Sequence, residues 1–154
     1  MKAAKAIRVL IVDDHPALRE GLAAIIDRQP DMKAIGEAEN GLEAIESVRA
    51  HHPDVVLMDL QMPKMNGLEA TAQILKEFPE ARIIVLTTFD GDEDIYRALH
   101  SGARAYLLKD MGKDCYLEAI RSVAAGGRWI PPAVAARLAD RMNRNGLTAR
   151  ETEV

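Results

Sequence analysis

The sequence predicts an α/β fold, a doubly wound parallel sheet of five strands with helices on both faces. Two patterns carry this prediction. Short β-branched runs alternate with longer segments whose apolar residues recur at helical spacing, five times in succession. The third run, Val55, Val56, Leu57 and Met58, is apolar on both faces, as a central parallel strand must be when helices cover each side. Short connections and right-handed crossovers then place successive helices on both faces of the sheet.

The first strand is Ile7 to Val12, followed by a helix over residues 17–28 with Leu18, Leu22, Ile25 and Ile26 on one face. Residues 33–37 read as a weak strand. A second helix over 41–50 carries Leu42, Ile45 and Val48 and ends before Pro53. The strand at 55–58 is closed by Asp59, and a third helix spans 68–78. A fourth strand runs over 82–87 and a fourth helix over 92–100, stopped by Gly102. The fifth strand is Ala105 to Leu108, and the fifth helix, over 116–125, carries Leu117, Ile120, Val123 and Ala124. Five such units are most simply arranged in the flavodoxin-like strand order 2-1-3-4-5. Gly126, Gly127, Pro131 and Pro132 interrupt the pattern before a linker helix over 133–144, striped by Val134, Leu138 and Met142. Thr148 and Glu151 then stand at capping-box spacing. The expected organisation is a main domain over 1–125, a linker with a helix over 126–146, and the truncated start of another domain over 147–154.

With 154 residues, 48% of them hydrophobic, the chain can bury one ordinary core with an appendage. Twenty basic residues against 24 acidic ones, with no Lys/Arg block, leave no surface suited to neutralising many phosphates. The single cysteine, Cys115, excludes an internal disulfide and reads as a small buried hydrophobe. The apolar run after Lys2, Lys5 and Arg8 is too short for a signal peptide or a membrane span, so a cytoplasmic location is expected.

Ligands of open parallel sheets bind outside the carboxyl ends of the strands. Here those ends carry Asp13 and Asp14 after strand one, Asp59 after strand three, Thr87 at strand four and Lys109 after strand five. In the proposed order they converge on one rim. Carboxylates this close repel, by about 4 kcal/mol per pair at about 4 Å and an effective dielectric near 20. A hard, oxygen-seeking divalent ion, magnesium in particular, would offset that charge. Lys109 supplies a further positive charge. Asp59, alone on the central strand, is the expected nucleophile toward phosphorus, whereas the adjacent Asp13 and Asp14 are better placed to hold metal. Taken singly, each feature has a plainer explanation, such as Asp14 capping the first helix.

The segments Asp13-Asp14, Asp59 to Gly67 (DLQMPKMNG), Leu86-Thr87-Thr88 and Leu108-Lys109 together resemble the receiver domains of two-component response regulators, over roughly residues 6 to 125. Residues 126–129 (GGRW) and 147–151 (LTARE) are similar to the linker and first effector helix of the NarL/FixJ type, which carries a LuxR-type helix-turn-helix domain. The resemblance implies phosphorylation of Asp59 by a sensor histidine kinase. It implies Mg2+ held by Asp14, Asp59 and the backbone carbonyl of Gln61, with Asp13 acting mainly through water. Thr87 and Lys109 would contact the phosphoryl oxygens, and Thr87 with Tyr106 would form the switch. It further implies a homodimer when phosphorylated and DNA contact only through the missing domain. Asp110 stands where many receivers have proline.

Two other classes fit less well. A magnesium-dependent phosphohydrolase with an aspartate nucleophile would normally place it after strand one and insert a cap. A flavin-binding electron carrier needs a Ser/Thr/Gly-rich loop where this chain has Asp13, Asp14, His15 and Pro16. His15 is read as a loop residue ahead of Pro16, which opens the first helix. His51, His52 and His100 lie in segments remote from it, so no His-rich metal site is expected.

Overall fold

Each apolar run becomes a strand of one sheet in the computed structural model, which describes residues 5–88, 96–98, 100–132, 135–136 and 139–140. In chain order the elements are β1 (Ile7–Val12), α1 (Pro16–Asp27), β2 (Met32–Ala38), α2 (Gly41–His51), β3 (Val55–Asp59), α3 (Gly67–Glu77), β4 (Ile83–Thr87), β5 (Ala105–Leu108) and α4 (Lys113–Ala124). All pairings are parallel, and the order is β2-β1-β3-β4-β5, as the alternation predicts.

Every residue of β3 and β4 is buried, which is the physical counterpart of their unbroken apolar sequence. Successive side chains of a strand point to opposite faces, so the sheet divides its apolar residues between two clusters. Leu22 and Ile26 of α1 and Leu117, Ile120 and Val123 of α4 cover Val9, Ile11, Leu57 and Leu86 on one face. Ala44, Ile45 and Val48 of α2, with Ala70 and Ile74 of α3, cover Leu10, Val56, Met58, Val85 and Tyr106 on the other. Each fully buried Leu, Ile or Val contributes about 1.5–3 kcal/mol of transfer free energy.

The helix starts have local causes. Pro16 begins α1, with His15 as its extended N-cap. Asn40 and Asn66 cap α2 and α3: each side-chain oxygen accepts from the backbone N–H three residues on, at Glu43 and Glu69, and each amide donates to that glutamate's carboxylate. Leu42, expected on the apolar stripe of α2, is 49% exposed instead, because the face turned to the sheet is Gly41, Ala44, Ile45 and Val48. α4 begins at Lys113, earlier than the periodicity suggested, with Gly112 as N-cap.

Most of the expected fourth helix lies outside the described residues, although Tyr96 to Ala98 and His100 are helical. The same holds for the linker helix: Pro132, Ala135, Ala136, Ala139 and Asp140 are helical, while Val134, Leu138, Met142, Thr148 and Glu151 lie outside. Among the described residues no helix is long and apolar enough to cross a membrane.

The chain after α4 turns back onto the sheet. Gly126, at φ 95°, follows the C-cap Ala125, and the N–H groups of Gly126 and Gly127 donate to the carbonyls of Val123 and Ser122 at 3.0 and 2.9 Å. This paired closure in a left-handed residue ends the helix and reverses the chain. Trp129 then forms a parallel bridge with Ala105 on the outer edge of β5.

Candidate functional site

Strand register brings the predicted residues to one rim. Val12 lies opposite Met58, so Asp13 leaves β1 level with Asp59 at the end of β3. Asp59 lies opposite Leu86 and Thr87 opposite Leu108, which sets Thr87 and Lys109 one step further along β4 and β5. The rim is fastened by backbone bonds: Asp13 N–H donates to Ala38 O at 3.0 Å, Leu60 N–H to Leu86 O at 3.0 Å, and Lys109 N–H to Thr87 O at 2.9 Å.

Asp13, Asp59 and Thr87 are buried, while Asp14 is part-exposed. Lys109 Nζ donates to Asp59 Oδ2 at 2.9 Å. It also stands 2.9 Å from Asp13 Oδ2, so that one ammonium is paired with both buried carboxylates. Asp59 Oδ1 accepts from Gln61 N–H at 3.1 Å.

The electrostatics of the pair are asymmetric. Burial pushes the Asp59 carboxyl above the ordinary carboxylate range; the Lys109 hydrogen bond pulls it down, and the Asp13 charge adds to the rise. Burial alone would lower the Lys109 ammonium, but its contacts with Asp13 and Asp59 outweigh that and hold it above its ordinary value. Lys109 therefore stays charged between two carboxylates, one of which ionises reluctantly.

Asp13, Asp14, His15 and Asp59 can each offer one ligand atom with all four atoms within 4.8 Å of one another. Two buried carboxylate oxygens, Asp13 Oδ2 and Asp14 Oδ1, have no hydrogen-bond partner. Unsatisfied buried oxygens among hard ligands fit a small divalent cation such as Mg2+. His15, expected only as a loop residue, joins this cluster: its Nδ1 lies 2.9 Å from Asp13 Oδ1 and 3.1 Å from Asp14 Oδ1.

Thr87 and Tyr106 lie on neighbouring strands with alternate residues sharing a face. Tyr106 pairs with Val85, two residues before Thr87, so the two side chains issue from the same side of the sheet. Tyr106 is fully buried.

Three further contacts support the rim, of which those of Arg19 and Tyr116 were not evident from the sequence. Arg19 Nη1 donates to the Asp13 carbonyl at 2.7 Å and its Nε to Glu37 at 3.2 Å, pinning the acidic turn to β2. Tyr116 Oη donates toward the Leu108 and Lys109 carbonyls at 3.3 and 3.2 Å, and burial, with the Asp110 and Asp13 charges, pushes its phenol up to about 12. Gly67 lies against the end of β3: a Cβ there would overlap the Asp59 carbonyl oxygen and reach 2.8 Å from Leu60 Cα.

Known proteins resemble this chain in sequence and fold. Residues 9–121 match the family model of the response regulator receiver domain. The transcriptional regulatory protein LiaR of Bacillus subtilis is 41% identical over 96% of this chain and 74% of its own length. The transcriptional regulatory protein DegU of Brevibacillus brevis is 40% identical over 83% of the chain, which spans only 54% of that relative. A LuxR-family two-component response regulator from Aurantimonas superposes with a TM-score of 0.85 at 34% identity, over 90% of this chain and 99% of that one. Sheet order and sequence therefore agree, and the chain belongs to the response regulator receiver family of two-component signalling.

Proposed function

We propose that this chain is a phosphorylation switch in which Asp59 accepts a phosphoryl group from a sensor histidine kinase. The observation that carries the reading is the buried Asp59 carboxylate, with one oxygen held by Lys109 and partly unsatisfied Asp13 and Asp14 beside it. An Asp59 oxygen attacks phosphorus, the bond from phosphorus to the donor breaks, and the donor leaves with the electron pair. Thr87 and Lys109 contact the phosphoryl oxygens.

Asp14, Asp59 and the Gln61 backbone carbonyl would hold Mg2+, with Asp13 acting through water. Bound there, the ion supplies positive charge that lets anionic phosphorus approach anionic carboxylates. The protein's own part is to fix Asp59 at the end of β3, keep Lys109 charged, and exclude bulk water from Asp13 and Asp59.

The output is a population shift. Thr87 moves toward the phosphoryl group and Tyr106 rearranges behind it, changing the surface around the segment at 92–100, β5 and α4. The phosphorylated form is a homodimer that controls transcription through a helix-turn-helix DNA-binding domain beginning at residues 147–154, joined to the receiver (1–125) by the linker at 126–146. Its setting is the cytoplasm, and it turns over no substrate beyond its own phosphotransfer and dephosphorylation.

Mass spectrometry after treatment with acetyl phosphate and Mg2+ tests the site. Wild type takes up one phosphate and Asp59→Ala takes up none; an adduct that survives the substitution contradicts the assignment. Steady release of phosphate from a phosphomonoester would favour a hydrolase instead.

A further inference from the structure

We propose that residues 126–130 are a regulatory part of the receiver sheet: docked on β5, Trp129 and Ile130 oppose filling of the Asp59 site, and filling that site releases them. The proposal rests on the reading of Asp59 as phosphoryl acceptor. It starts from how completely the segment is built into the edge. Trp129 N–H donates to Arg104 O at 3.0 Å, and its carbonyl accepts from Tyr106 N–H at 3.1 Å, bracketing Ala105. Trp129 packs on the cluster that holds Ala105, Leu107 and Tyr116. Ile130, the next residue, packs on the opposite cluster, which holds Tyr106 and Val85. Consecutive side chains on opposite faces are the signature of a strand, so the segment covers an edge that β5 would otherwise leave open.

The edge it covers leads directly to the site. β5 is four residues long, and Lys109 follows it. The Lys109 side chain rests on Asp13 and Asp59 while its N–H is tied to Thr87 O. A phosphoryl group on Asp59 must re-aim Lys109, because a carboxylate oxygen then carries phosphorus. So short a strand has few further pairings over which to spread that displacement.

The sign follows from linkage. The docked contacts exist with Lys109 collapsed onto the carboxylates, and on this proposal they stabilise this unfilled arrangement more than the filled one. Whatever favours the unfilled arrangement opposes filling, and abolishing the dock raises affinity by up to the factor by which filling weakens the dock.

The test uses beryllofluoride with Mg2+ as a phosphoryl mimic, with fluorine NMR reporting occupancy. Trp129 is the chain's single tryptophan and reports docking by its emission. The expected result is an emission change that tracks occupancy in wild type, and affinity raised about fivefold or more in Ile130→Ala. Gly126→Ala should act in the same direction without touching either core: its Cβ would meet nothing within 4 Å, but φ 95° strains any L side chain. Absence of bound fluoride in wild type overturns the Asp59 reading and this proposal with it. Bound fluoride with unchanged Trp129 emission, or with affinity unchanged or lowered in both variants, overturns this proposal alone.

Discussion

Asp13 and Asp59 leave the sheet on adjacent strands, and Lys109 stands 2.9 Å from an oxygen of each. Removing that ammonium leaves buried carboxylates facing one another, a situation that costs about 3–5 kcal/mol when one partner of a buried pair is lost. Lys109→Met should therefore lower unfolding stability in urea by about 3 kcal/mol, and Asp13→Asn in the same chain should restore part of it by removing one repelling charge. A midpoint unchanged by Lys109→Met would mean that the carboxylates are hydrated, not paired. The acidic residues and Lys109 were legible in the sequence because each directly follows a strand, where chain order fixes position. Tyr116 was not: it falls on the apolar stripe of α4, and nothing in a helical period distinguishes a buried ring that also braces the Leu108 and Lys109 carbonyls.

At the scale of elements, the loop from β3 into α3 shows how a backbone approach positions a side chain. Gly67 N–H donates to Leu60 O at 3.0 Å, and the missing Cβ lets the first turn of α3 sit against the Asp59 carbonyl. Gly67→Ala must push that turn away from β3. The expected cost is about 1–3 kcal/mol of stability, with a smaller phosphorylated fraction at fixed acetyl phosphate because the Asp59 backbone moves too. Thermal unfolding and phosphate uptake measured on the same samples check both parts; full uptake would show that α3 does not locate Asp59. Gly67 closes the motif at 59–67 in the sequence, but the overlap depends on how two elements approach, which no local pattern encodes. The edge segment was hidden for a related reason. Gly126, Gly127, Pro131 and Pro132 read as punctuation, and a bridge made by Trp129 alone has no period to detect. By contrast β3 and β4 were readable, because burial on both faces forces continuous apolar runs, whereas the part-exposed edge strand β2 left only a weak signal.

Among the described residues two apolar layers cover one sheet, and three carboxylates gather at the carboxyl ends of its strands. That geometry ties global stability to the rim. Three carboxylates meet one ammonium there, and a ligand that binds only the folded chain stabilises it by mass action. At Mg2+ concentrations about a hundredfold above the dissociation constant the gain is about 2.7 kcal/mol. For a domain of this size that raises the unfolding temperature by roughly 8 °C. Asp14→Asn separates repulsion from binding: it removes one charge without disturbing Lys109, whose contacts are with Asp13 and Asp59. Its unfolding temperature without Mg2+ should equal or exceed that of wild type, while its rise with Mg2+ should largely vanish. Calorimetric scans across a Mg2+ series decide the matter, since a rise of equal size in both chains would place the ion away from Asp14.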